Sequence, residues 1–127
     1  MNTRDKKQRL GVILIVSGPS GAGKTTICKR IRESYRDLYF SVSCTTRSPR
    51  TGEVDGKDYY FITEEEFQSR VKRNEFIEHA NVYGNSYGTL RNELADKVRS
   101  GRDVLLDIDV QGAMQIKENS ADDTLLK

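Results

Sequence analysis

The chain has 127 residues, 35% hydrophobic and 31% charged, which is enough apolar material for one ordinary core. Lysine and arginine number 21 against 19 aspartate and glutamate, a net charge of +2, so the composition offers no basic stripe of the kind that binds nucleic acid. The longest apolar run, Val12–Val16, is far short of a bilayer span, the N-terminus lacks the apolar stretch of a secretory leader, and two cysteines make neither a disulfide framework nor a zinc set. The expectation is a reduced, cytoplasmic protein that engages neither membrane nor nucleic acid.

Gly11–Ser17 is apolar and β-branched, the pattern of a strand buried on both faces of a parallel sheet. The glycine-rich segment Gly18–Gly23 follows. Lys24–Arg36 predicts an amphipathic helix with Ile27, Ile31 and Tyr35 on one face and Cys28 beside them. Phe40–Cys44 alternates like a second strand, and the polar stretch after it ends in Asp55-Gly56, a pair that favours a tight hairpin turn. Tyr59–Ile62 predicts a short strand. Thr63-Glu-Glu-Glu66 predicts a capping box that opens a helix to about Asn74, with Phe67 and Val71 inward. Phe76–Ala80 and Val82–Tyr87 predict two strands around a turn. Thr89 is expected to cap a helix whose Leu90, Leu94 and Val98 form one stripe, stopped by Gly101. Val104–Asp109 predicts a buried strand ending in carboxylates, and a helix runs from Val110 to about Asn119. This order predicts an α/β chain: residues 1–42 and 90–127 form a parallel core flanked by helices, and residues 43–89 form an inserted small α+β subdomain.

Gly18-Pro-Ser-Gly-Ala-Gly-Lys24-Thr25 matches G-x-x-x-x-G-K-[ST] at every fixed position, after a buried strand and before a helix. Such a loop turns successive backbone N–H groups toward one anion at the positive end of a helix. The candidate polyphosphate ligands are Gly18, Ser20, Gly21, Ala22, Gly23, Lys24, Thr25 and Thr26. Lys24 can reach the β- and γ-phosphates and the Thr25 hydroxyl can ligate Mg²⁺. A carboxylate at the end of a neighbouring strand should complete the site. Asp107 stands there, suited to holding the metal through water or to accepting hydrogen bonds from a second substrate, with Asp109 two residues on along the same face. By itself, Asp107 reads equally as a strand-end residue facing solvent.

The insertion carries Arg47 and Arg50, whose guanidinium forks suit a substrate phosphate, with tyrosine hydroxyls to join them. Glu78 and Asp109 suit a base that presents adjacent N–H donors, as guanine does and adenine does not. Taken singly, each is also compatible with a solvated surface residue, Glu53 most readily.

GPSGAGKT, SVSCTTRSPRTGEVDGKDYYF, EFIEHANVYGNSYGT and DVLLDIDVQGA resemble the successive signature blocks of the guanylate kinases, in order and roughly in spacing, across Val12–Gln115. The resemblance implies a P-loop kinase core, a GMP-binding insertion, and an ATP:GMP phosphotransferase of purine nucleotide metabolism that uses Mg²⁺ with ATP. It puts Ser43, Arg47, Arg50, Tyr59 and Tyr87 around the GMP phosphate. It puts Glu78 and Thr89 on the guanine and Asp109 at the guanine donor edge. Glu53 and Asp107 line the same cleft, Asp107 also near the metal, and Lys24 and Arg47 are the catalytic cations. Thr89 stands where serine is common in the family, and Cys44 reads as a small packing residue. The resemblance further implies core strands and an arginine-bearing lid beyond Lys127, so the 127 residues read as the first part of a longer protein. The alternatives are a guanylate-kinase-like binding module, against which the intact Lys24-Thr25 argues, a fragment that binds GMP without efficient turnover, and a different nucleoside monophosphate kinase, against which Glu78 and Asp109 favour guanine.

Overall fold

The computed structural model describes residues 10–17, 22–35 and 37–120. In chain order the elements are β1 (Ile13–Val16), α1 (Ala22–Ser34), β2 (Tyr39–Phe40), β3 (Cys44–Thr45), β4 (Tyr60–Phe61), α2 (Glu64–Lys72), β5 (Phe76–Val82), β6 (Asn85–Leu90), α3 (Arg91–Arg99), β7 (Val104–Asp107) and α4 (Val110–Ser120). They fall into two compact units, one of Val42–Asn92 and one of the flanking chain up to Ser41 and from Glu93 onward.

The flanking unit is built on a parallel sheet of order β1-β7-β2. Val104, Leu105 and Leu106 of the central strand are fully buried, as a continuous apolar run in the middle of a parallel sheet should be. The β1–β7 register places Val16 beside Asp107, so both strands end at one level. In α3, Leu94 and Val98 are buried. The helix closes in a Schellman motif, with the Gly101 N–H donating to the Val98 carbonyl and the Arg102 N–H to the Lys97 carbonyl.

Two expectations for this unit need correction. Among the described residues β1 is an edge strand with β7 on one side only, so Leu14 and Ile15 are exposed where burial on both faces was expected. Among the described side chains of α1 only Cys28 is buried, with Ile31 half-buried. Ile27 and Tyr35 are exposed, because Ile27 lies at the margin of the stripe and Tyr35 falls past the helix end.

The Val42–Asn92 unit has a sheet of order β4-β3-β6-β5, in which β3–β6 and β5–β6 are antiparallel and β3–β4 parallel. The stretch expected as one strand, Phe40–Cys44, is two. Tyr39 and Phe40 pair with β7 in the flanking sheet, while Cys44 and Thr45 pair with β4 and β6. Alternation reports an extended backbone and not which sheet it joins, so the crossing over residues 41–43 leaves no mark in the pattern.

The β5–β6 hairpin turns later than expected, at Tyr83-Gly84, whose φ values of +51° and +85° make a two-residue turn of the type that matches strand twist. Thr89 is a strand residue and not a helix cap; α3 begins only at Arg91, and the Thr89 hydroxyl is used sideways, within the sheet.

Helix α2 starts as its sequence predicts, the Thr63 Oγ1 accepting from the Glu66 N–H at 3.1 Å. It packs on one sheet face through Phe67, which meets Cys44 and stacks on Phe76 at a ring separation of 4.6 Å, with Tyr60, Ile62, Val71 and Leu90 around them. Gly88 lies directly under the Phe76 ring: a Cβ there would stand 2.8 Å from the Phe76 Cδ1. Because that ring is locked against Phe67, Gly88→Ala should destabilise the unit by about 1–3 kcal/mol, read as a lower midpoint in denaturant unfolding; an unchanged midpoint would show that the Phe76 ring yields freely.

Candidate functional site

The four-stranded sheet separates two chemistries. Cys44, Gly88 and Leu90 turn toward α2. Side chains alternate along a strand, and the register sets Thr45 beside Tyr87 and Phe61, and Glu78 beside Thr89, so these residues form the opposite face. Tyr59 joins them, its ring 6.1 Å from Tyr87 and 5.8 Å from Phe61. Seen this way, residues far apart in sequence share one surface because β3, β4, β5 and β6 are adjacent.

Arg47 lies two residues past the end of β3 and is only 11% exposed at its side chain. Its Nη1 and Nη2 donate to Oε1 and Oε2 of Glu53, both at 3.0 Å, Nη1 also reaches the Ser48 carbonyl at 3.0 Å, and the guanidinium lies 5.1 Å over the Tyr59 ring. The hydrogen bonds to Glu53 raise the Arg47 pKa above its ordinary value against the cost of desolvation, and bonds to Tyr87 and Tyr59 add to the rise. Arg47 is therefore a permanent cation held in one orientation. The bonds from Arg47 lower the Glu53 pKa, helped by the Arg50 backbone N–H, which donates to Oε1 at 2.7 Å.

Glu53 is thus brought to Arg47 as its counter-ion, with both oxygens engaged. Arg50 joins through its backbone while its residue is exposed. Ser43 gives its carbonyl to the Tyr60 N–H.

At the other end of the same face, Glu78 is 7% exposed and Thr89 fully buried, and the Thr89 Oγ1 donates to the Glu78 Oε2 at 2.6 Å, the length of a charge-assisted bond. An irregularity in β5 between Phe76 and Glu78 re-aims the strand here, so that Glu78 lies opposite Thr89. Tyr87 and Thr89 are two residues apart on β6, about 7 Å, so a cationic end and a carboxylate end are set in series along one strand.

The remaining expected residues belong to the flanking unit. Asp107 is exposed at the end of β7, level with Val16. Its carboxylate oxygens are hard donors that suit an ion preferring carboxylate and water ligands. Asp109 caps α4, its Oδ1 accepting from the Gly112 N–H at 2.8 Å. The loop residues Gly18, Ser20 and Gly21, and the side chains of Ala22, Gly23, Lys24 and Thr25, lie outside the described residues, and Thr26 is exposed on α1. Among the described residues no three His, Cys, Asp or Glu side chains gather as a metal site, and no helix is long and apolar enough to cross a membrane.

Sequence reasoning passes over Thr45, which is fully buried on the site face and bonded to the Arg47 backbone. A threonine two residues before an arginine in an alternating stretch is the available signal, and it is a weak one.

The family model described as guanylate kinase matches residues 11–125. The chain belongs to the guanylate kinase family. It is 51% identical over 122 residues to the guanylate kinase of Clostridium perfringens (strain SM101 / Type A), covering 96% of this chain and 56% of the relative. To the guanylate kinase of Thermotoga maritima it is 55% identical over 108 residues, 85% of this chain and 52% of the relative. The crystal structure of guanylate kinase from Anaplasma phagocytophilum superposes with a TM-score of 0.71 at 45% identity, over 86% of this chain and 54% of that one. The fold is therefore the α/β fold of P-loop kinases, and the chain spans about half the length of the curated relatives it matches.

Because the Glu53 pKa is depressed in the folded state, its pairing with Arg47 stabilises the fold in full above the usual carboxylate range and is lost as pH falls on through the depressed folded-state value. Glu53→Gln should accordingly lower the unfolding midpoint at pH 7, by a gap that narrows as pH is lowered below the usual carboxylate range. A gap that stays constant with falling pH would show that the contribution comes from shape and not charge.

Proposed function

We propose that this chain carries the GMP-binding insertion and the phosphate loop of a cytoplasmic enzyme that transfers the γ-phosphoryl group of ATP to the phosphate oxygen of GMP, releasing ADP and GDP. The observation that carries this reading is the pairing on one sheet face of a held guanidinium, Arg47, with a buried hydroxyl-bonded carboxylate, Glu78. A monophosphate binds the first and a base with adjacent N–H donors binds the second. Relatives named guanylate kinase at about half identity support the same assignment.

In this reading residues 43–89 form the GMP insertion. Ser43, Arg47, Arg50, Tyr59 and Tyr87 receive the GMP phosphate, with Glu53 holding Arg47 in place. Glu78, oriented by Thr89, accepts from the guanine donor edge, a role that the family resemblance also gives to Asp109. A carboxylate rejects bases that lack the donor pair because its buried lone pairs would be left unsatisfied. The main obstacle to transfer is the mutual repulsion of two anionic nucleotides. Arg47 lowers it at the acceptor, and Lys24 with the amides of residues 18–25 lowers it at the donor. Asp107, through water, and Thr25 would hold Mg²⁺, which supplies charge neutralisation at the β- and γ-phosphates.

In a coupled assay of ADP release on the complete polypeptide, Lys24→Ala should reduce turnover by about 10³-fold or more; wild-type-like turnover would overturn the assignment of the loop. Wild type should prefer GMP to AMP and UMP as acceptor. Glu78→Gln should mainly raise the KM for GMP and narrow that preference, and an unchanged preference would remove Glu78 from base recognition.

A further inference from the structure

Arg47 is anchored through its backbone as well as its side chain. The fully buried Thr45 hydroxyl accepts from the Arg47 N–H at 3.1 Å and donates to the Ser86 carbonyl at 2.9 Å. The same Ser86 peptide is gripped again by the next residue: the Ser86 N–H donates to the Thr46 Oγ1 at 2.9 Å, and the Thr46 N–H donates to the Ser86 carbonyl at 3.1 Å. Ser86 directly precedes Tyr87, whose ring meets Tyr59, over which the Arg47 guanidinium lies. A single hydroxyl therefore ties the backbone of the arginine to the strand that carries one of its aromatic neighbours.

We propose that Thr45 is a positioning residue for anion recognition: its hydroxyl fixes the Arg47 backbone relative to β6, so that Arg47 and Tyr87 present their donors to one phosphate. This rests on the reading of Arg47 as the ligand of the GMP phosphate. Thr45 itself is fully buried, so it acts through Arg47. Strand pairing alone does not set this geometry, because β3 ends at Thr45 and Arg47 lies beyond its ladder. With the hydroxyl removed, the Arg47 N–H loses its acceptor, and the arginine is held through its side chain, chiefly by Glu53, which is itself on a loop. Optimal alignment of a charged donor with a phosphate depends on fractions of an ångström, so a loosened backbone weakens phosphate binding while leaving base recognition in place.

The test compares GMP with guanosine, which has the base and lacks the phosphate, by calorimetric titration of the complete polypeptide. Wild type should bind GMP more tightly than guanosine. If it does not, the Arg47 reading fails in the unmutated protein and the Thr45 proposal falls with it. With that preference in hand, Thr45→Val, which keeps the shape and removes the hydroxyl, should weaken GMP binding about tenfold and leave guanosine binding within about twofold. Thr45→Ser should restore GMP binding to near wild type. Should Thr45→Val not accumulate as folded protein, Thr45→Ala, which leaves space for a water at the vacated position, takes its place with the same expectation. Equal weakening of GMP and guanosine would mean that Thr45 acts only on the fold, and unchanged GMP binding would mean that it does not act on Arg47; either result overturns the proposal.

Discussion

Two residue pairs, Cys44 with Gly88 and Thr45 with Tyr87, join the first half of the Val42–Asn92 unit to the second. Everything proposed for the phosphate end comes from residues 43–61, apart from Tyr87, and everything proposed for the base end within this unit comes from residues 78–89. The antiparallel pairing of β3 with β6 is the constraint that makes one site of them. It is a short ladder, and its flanks reinforce it: Cys44 is fixed in the aromatic core on one face, and the Thr45 and Thr46 hydroxyls clasp the Ser86 peptide at its end. Sheet pairing gives alternate side chains opposite destinations, so the same two strands bury the core against α2 and present polar groups on the other side.

The arrangement around Arg47 addresses an electrostatic difficulty. A guanidinium of the kind proposed to receive a phosphate must be rigid beforehand, and an isolated cation in a half-buried loop would be neither rigid nor well solvated. Glu53 answers both needs by chelating it in the bidentate manner that suits arginine, and Tyr59 supports its face. Arginine has five N–H donors, so two bonds to a carboxylate do not exhaust it. The proposed base end follows a different logic: Glu78 is a carboxyl group in a buried position, one oxygen of which is oriented by a short bond from Thr89. Two anchors of such different kinds would discriminate by orientation as much as by attraction.

Much of this was legible in the sequence wherever one local cause dominated. The apolar run Val104–Leu106, the Thr63 cap, and the inward Phe67, Leu94 and Val98 follow from periodicity and capping chemistry alone, and the structure has them. Arg47 and Glu78 were legible as residue types suited to an anion and to a base. What was not legible depended on partners remote in sequence. Phe40 to Cys44 alternates without a break, yet its two ends pair with different sheets. Thr89 looks like a helix cap because a helical stripe follows it, and only its neighbour on β5 shows that its hydroxyl is committed elsewhere. Ile27 and Leu14 are apolar and exposed, since an apolar pattern states what a residue prefers and not whether a covering element lies over it. Thr45 carried no chemical signal because its importance lies in two backbone groups that a sequence does not display.

The placement of the two cysteines has a practical consequence. Cys28 lies on α1 of the flanking unit and Cys44 in the aromatic core of the other, both sulfurs sheltered. An alkylating reagent reaches such a thiol chiefly through transient opening of the surrounding structure, at a rate that reflects how often that part opens. The molecule thus contains a separate chemical clock for each half, and whether nucleotide slows one, the other or both would distinguish local tightening from a response shared by the whole chain.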